Sequence, residues 1–347
     1  MRGLAFLSVS ALLLAGCAGS DDAAAPSTAS PKGASASLAQ NDTLEAPAWK
    51  VGQAWDHRYT IGQEIPIEFL ASVVVAKDEG ASWRVASPDN LTAALHAVVY
   101  FPDLGSFTKS ELLASDGERS TPWYDFPLTD GKTWRATEKN LDFNLQPVNY
   151  DLECTATLRP GANGQPTTYG ITCLSGGNLR SKYDYDPTIG WFSEFRAYDP
   201  AAAAAEDAWD LRIIHERLSF NNTGMAYVST ATQVANHISV VAPDPSAIAP
   251  NPTSTFTLTP DHDRLLGFLF SFAATGVANT EIYDPMMRRV TGYQAAETPA
   301  GAFMDGPDLL FIDGVAGEWR IVSYGAGVAT GGGFIAWGVS ETELVIG

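Results

Sequence analysis

Cysteine is scarce in this 347-residue chain: Cys17, Cys154 and Cys173 are the full set. Two cysteines without nearby histidine supply half of a zinc ligand set, so a structural zinc site is disfavoured. Positive charge is also short, with 21 Lys and Arg against 40 Asp and Glu and a formal net charge of −19. A surplus this acidic makes nucleic acid and anionic headgroups poor partners. The five histidines, His57, His96, His215, His237 and His262, show no His-Glu-x-x-His or other metal-binding spacing, and each reads as a lone strand or loop residue. No Gly-x-Ser-x-Gly elbow is present, so the sequence shows no nucleophile for acyl transfer. Long helical periodicity is lacking too, and the apolar run Gly3–Leu14 is too short to cross a bilayer.

What is present at the start is an address. Arg2, the short apolar run and Leu14-Ala15-Gly16-Cys17 resemble the lipobox of bacterial lipoproteins. The resemblance implies a signal peptide over 1–16, cleavage before Cys17, acylation of Cys17 and a lipid-anchored place in the cell envelope. Cleavage removes Arg2 and leaves the mature chain one unit more acidic. Each buried methylene of an acyl chain adds about 0.8 kcal/mol of membrane affinity, so firm anchoring takes more than one chain. Residues 17–43, rich in Ala, Ser, Gly, Pro, Thr and Asp, read as a flexible tether.

The remainder reads as all-β, with a curved antiparallel sheet expected over 44–228, a Pro-rich linker over 229–253 and a small β-sandwich over 254–347. Expected strands include Ala54–Ile61, Ile67–Ala76, Leu95–Tyr100, Asp151–Leu158, Thr167–Leu174 and Trp209–Phe220. Cys154 and Cys173 sit in two strand-like segments around Asn163-Gly164, a strong hairpin turn. A turn centred there sets the two cysteines opposite each other, and in an exported chain they are expected to pair.

Three segments organise the first part: Gly52-x-x-Trp55, Phe126-Pro-Leu-x-x-Gly131-x-x-Trp134 and Tyr185-x-Pro-x-x-Gly190-Trp-Phe192. Together they resemble a family of exported prokaryotic proteins of unassigned function, whose expected fold is a half-barrel similar to that of lipoprotein carriers. The resemblance brings no catalytic residues. The later part, with Leu266–Phe272, Tyr283-Asp-Pro285 and Gly317-Glu-Trp-Arg-Ile-Val-Ser-Tyr-Gly325, resembles the jelly-roll sandwiches appended to secreted peptidases.

Candidate site residues are few. Among the many aromatics, Trp123, Tyr124 and Tyr185 have turns or polar neighbours and are the expected exceptions to burial, a platform for a glycan or apolar ligand. Asp184 and Asp186 lie two apart, where carboxylates can share a proton or cation, although Asp186-Pro187 also begins a turn. Asp261 and Asp263 around His262 are weak candidates for Ca²⁺, against the simpler reading of a solvated turn. Asn41, Asn90 and Asn221 match the N-glycosylation pattern.

The leading expectation is a non-catalytic surface lipoprotein without a cofactor, held to the membrane by the lipid on Cys17 and engaging an unidentified protein, glycan or lipid ligand. A carrier holding a lipid on the concave sheet is the first alternative. A hydrolase using Asp184 and Asp186, or Asp261 and Asp263, is the second.

Overall fold

Alternation of apolar and polar residues builds the first unit. Along Ala54–Ile61 (β1), Trp55, His57 and Tyr59 are buried while Asp56 and Arg58 face outward, the two-residue period of a strand with one covered face. The computed structural model describes residues 43–63, 67–141, 147–161, 167–199, 208–241, 249–273, 277–296, 303–326 and 330–347. Cys17, Asn41 and the Asn163-Gly164 turn lie outside the described residues.

After β1 come β2 (Ile67–Asp78), β3 (Ser82–Ala86), α1 (Asn90–Val98), β4 (Gly105–Thr108), β5 (Leu113–Ser115), β6 (Ser120–Pro122) and β7 (Thr133–Leu141). The series continues with β8 (Pro147–Arg159), β9 (Thr168–Ser175), β10 (Asn178–Asp186), β11 (Trp191–Ala197) and β12 (Leu211–Ser219). Each strand pairs with the next, and β12 returns to β1, so the sheet is a closed twelve-stranded barrel. The expected curved antiparallel sheet is present, and it closes fully where a half-barrel was expected. The closing pairs run antiparallel from Ala54 opposite Ser219 to Ile61 opposite Leu211. Closure removes the two rows of unpaired N–H and C=O groups that an open curved sheet would expose.

The cysteine expectation holds. Cys154 on β8 stands directly opposite Cys173 on β9, and their sulfurs are bonded across the ladder with Cα atoms 4.1 Å apart. The expected strand over Leu95–Tyr100 does not form, because that stretch falls in and just after α1. Asn90-Leu-Thr-Ala-Ala-Leu-His-Ala-Val98 places Leu91, Ala94, Leu95 and Val98 on one helical stripe, and its three alanines favour helix over strand.

The second unit gathers Val228–Thr342 with Asn90–Val99. Its strands are β13 (Gly224–Val241), β14 (Ala249–Leu258), β15 (Arg264–Ala273), β16 (Val277–Tyr283), β17 (Arg289–Ala296), β18 (Phe303–Asp313), β19 (Gly317–Ala326) and β20 (Thr330–Ile346). Two four-stranded sheets, in the orders β13-β20-β15-β18 and β14-β19-β16-β17, give the strand order of a jelly roll. Phe256, Leu258, Ile282, Trp319 and Ile321 from one sheet pack with Ala235, Leu265, Leu269, Phe334 and Ala336 from the other.

The expected linker over 229–253 is largely strand. β14 is an edge strand, where proline is tolerated, and its register shifts between Asn251 and Ser254, around Pro252.

Candidate functional site

The barrel interior is crowded with rings, beginning with those that the turn glycines launch. Gly52, Gly131 and Gly190 all have left-handed φ, of 82°, 74° and 67°. The indole of Trp49 donates to Gly190 O at 2.8 Å and that of Trp55 to Ile189 O at 3.0 Å, so the opening segment is stitched to the Asp186–Gly190 turn. Trp191 meets Trp49, Trp55, Phe107 and Trp123, with centroids 5.0 to 6.2 Å apart. Such tilted and edge-on contacts contribute beyond the area they bury.

Trp123, Tyr124 and Tyr185 belong to this packing, which corrects their expected exposure: they are 0%, 3% and 1% accessible. The chain after β6 turns inward, so the Trp123 indole donates to Pro102 O at 2.9 Å and its carbonyl accepts the Tyr183 hydroxyl. Tyr185 follows Tyr183 on the inward face of β10. Burial raises the pKa of Tyr124 and Tyr183 well above the ordinary phenol value, so both remain neutral. These rings form the core and present no platform.

The densest chemistry lies beside them, around His57 and His215, each read from the sequence as a lone residue. His57 Nδ1 is 2.7 Å from Asp103 Oδ2, and both side chains are fully buried. The hydroxyl of Tyr59 donates to the same oxygen. Phe192 stacks on the His57 ring at 4.9 Å, and His215, directly opposite on β12, has its ring centroid 6.0 Å away. Burial, and then the neighbouring His57, push the His215 pKa down to about 4. Burial, followed by the charge of Asp103 and its hydrogen bond, raises Tyr59 well above the phenol range and keeps it a donor. His57 Nε2, Asp103 Oδ1 and His215 Nδ1 are buried without a hydrogen-bond partner in the structure. The sequence signal for part of this was present: His57 and Tyr59 sit at alternate positions of one strand. Asp103 follows Pro102 in a loop and carried no spacing signal.

A second buried polar group closes part of the interior. Arg180 makes two bonds to Glu138, one of them at 2.9 Å, and donates to Tyr198 O at 2.8 Å. Burial opposes the guanidinium charge, and Glu138 more than offsets that, leaving the Arg180 pKa raised. The recess beside this pair, lined by Tyr100, Asn140, Ser181 and Tyr183 among others, holds only about 50 Å³. Ligand pockets for drug-sized molecules run roughly 300–1,000 Å³. By contrast, the solvent-facing side of β7–β9 carries an open concavity of about 700 Å³, lined by Thr133, Thr155, Thr157, Thr172, Arg135 and Glu153 among others.

The acids nominated from the sequence are occupied separately. Asp184 pairs with Arg159, and its pKa is raised by burial against the pull of that guanidinium. Asp186 accepts from Thr188 N at 2.8 Å and Thr188 Oγ1 at 2.7 Å, the turn role foreseen as its alternative. Asp263 accepts from Glu341 N at 2.7 Å, and the Asp261 carbonyl accepts from Ser340 Oγ at 2.6 Å. A hydrogen bond from Thr259 lowers the Asp261 pKa. Among the described residues, no three His, Cys, Asp or Glu side chains are grouped to hold a metal ion. Asn90 opens α1, and Asn221 is exposed with φ 60° at the β12–β13 turn.

No protein-family model matches the chain, and no curated protein matches it. Among solved structures, an exo-β-1,3-galactanase from Phanerochaete chrysosporium with galactose aligns over 81% of this chain and 68% of its own, at 9% identity and a TM-score of 0.18. An insecticidal delta-endotoxin from Bacillus thuringiensis aligns over 87% of this chain and 55% of its own, at 6% identity and a TM-score of 0.17. Similarity this low carries no argument about fold or activity.

Proposed function

We propose that this chain is a lipid-anchored envelope protein with no catalytic activity of its own, held by Cys17 and binding through its outer surfaces. The supporting observation is the filled barrel: Trp55, Trp123, Trp191, Tyr59, Tyr185 and Phe192 are all below 2% accessible. A lipid carrier needs a cavity of several hundred Å³ in that place. A carboxylate hydrolase needs two acids converging on one substrate, and Asp184 and Asp186 are committed to Arg159 and Thr188. The open concavity on β7–β9, with its threonine hydroxyls and the exposed Arg135–Glu153 pair at 2.6 Å, offers donors and acceptors to a protein or glycan partner.

The test is membrane fractionation with native mass spectrometry of the chain from its host. The expected result is an acylated Cys17, membrane retention that Cys17→Ala abolishes, and no further lipid-sized mass. Wild-type protein found in the soluble fraction would remove the anchor. A lipid that stays bound to Cys17→Ala would restore the carrier reading.

A further inference from the structure

Two buried imidazole nitrogens at the barrel seam have no hydrogen-bond partner in the structure. With Nδ1 as the donor to Asp103 Oδ2 at 2.7 Å, the Nε2-deprotonated tautomer of His57 presents a lone pair at Nε2. That Nε2 is buried and unpartnered, and so is His215 Nδ1. The two residues are register partners across β1 and β12, with ring centroids 6.0 Å apart. A metal about 2 Å from each of two imidazole nitrogens sets the ring centroids roughly 6 Å apart when the two ligands are collinear.

We propose that His57 and His215 form a two-coordinate site for a monovalent soft transition-metal ion, copper(I). Coordination number argues for this ion. Zinc takes four ligands, and among the described residues no third His, Cys, Asp or Glu joins the pair. The Tyr59–Asp103–His57 chain is also a second shell of the type that orients a metal-binding imidazole: the carboxylate holds Nδ1–H and leaves Nε2 for the ion.

The experiment refolds the mature chain from urea, with its disulfide intact, under anaerobic conditions in the presence of copper(I). Bound metal is then read by competition with bicinchoninate. One equivalent is expected to resist the chelator, and His57→Leu and His215→Leu should each bind it at least tenfold more weakly. Replacing the exposed Met286 and Met287 with Leu should change nothing. If His57→Leu does not refold, His215→Leu at its part-buried position, together with the copper X-ray absorption edge of the wild type, decides the matter. Two nitrogen scatterers per copper are expected. Sulfur scatterers, undiminished binding in the His215 variant, or no retained copper would overturn the site.

Discussion

Asp103 anchors two donors inside the barrel, and its removal has a calculable cost. In Asp103→Ala, His57 Nδ1–H and the Tyr59 hydroxyl lose their shared acceptor while remaining at 0% accessibility. Each buried donor left unsatisfied costs about 1–3 kcal/mol, so the loss should be about 2–6 kcal/mol. Tyr59 does not escape by ionising, because burial raises its pKa further above the phenol range. Asp103→Asn keeps one carbonyl oxygen with two lone pairs for the shared acceptor and should cost less than Asp103→Ala. The assay is equilibrium unfolding in urea, followed by fluorescence of the indoles packed around Trp191. Tyr59→Phe and its combination with Asp103→Ala complete a double-mutant cycle. Because both remove the same bond, the combined loss should fall short of the sum by about 0.5–3 kcal/mol. A cost below about 1 kcal/mol for Asp103→Ala, or strict additivity, would show that the cluster is not the buried network described, since buried donors cannot lose their acceptor at so little cost.

Replacing Cys154 and Cys173 together with Ser should lower stability by about 3 kcal/mol, since they close a loop of 19 residues; a reducing agent should reproduce the shift in the urea midpoint. Trp123→Ala should cost about 3–5 kcal/mol, whereas an exposed ligand platform would lose binding and keep its stability; denaturation curves distinguish the two. Gly52→Ala should cost about 1–3 kcal/mol, because φ is 82° and a Cβ there would stand 2.8 Å from Asn222 O; the thermal midpoint reports it. Gly170→Ala is the contrasting case. Its Cβ would meet the Arg159 guanidinium at 2.4 Å, but Arg159 is flexible and half exposed, so a loss above about 1 kcal/mol would contradict a weak surface pair with Asp184.

The sequence by itself determined what is local. Alternation specified strands, left-handed glycines specified turns ahead of Trp55 and Trp191, and the register expected from Asn163-Gly164 is the one that pairs Cys154 with Cys173. Each of these depends on residues close along the chain, where backbone dihedrals and hairpin geometry leave few choices. The helix Asn90–Val98 was readable in the same way from its Leu and Ala spacing, but a short apolar run also fits a strand. Barrel closure, the burial of Trp123, Tyr124 and Tyr185, and the meeting of His57 with Asp103 and His215 were decided only by the tertiary structure. Those contacts join residues far apart in the chain: 46 positions separate His57 from Asp103, and 134 separate Trp55 from Ile189. Whether β12 turns back to β1 depends on the summed twist and stagger of all twelve strands, a property of the whole sheet that no single segment encodes.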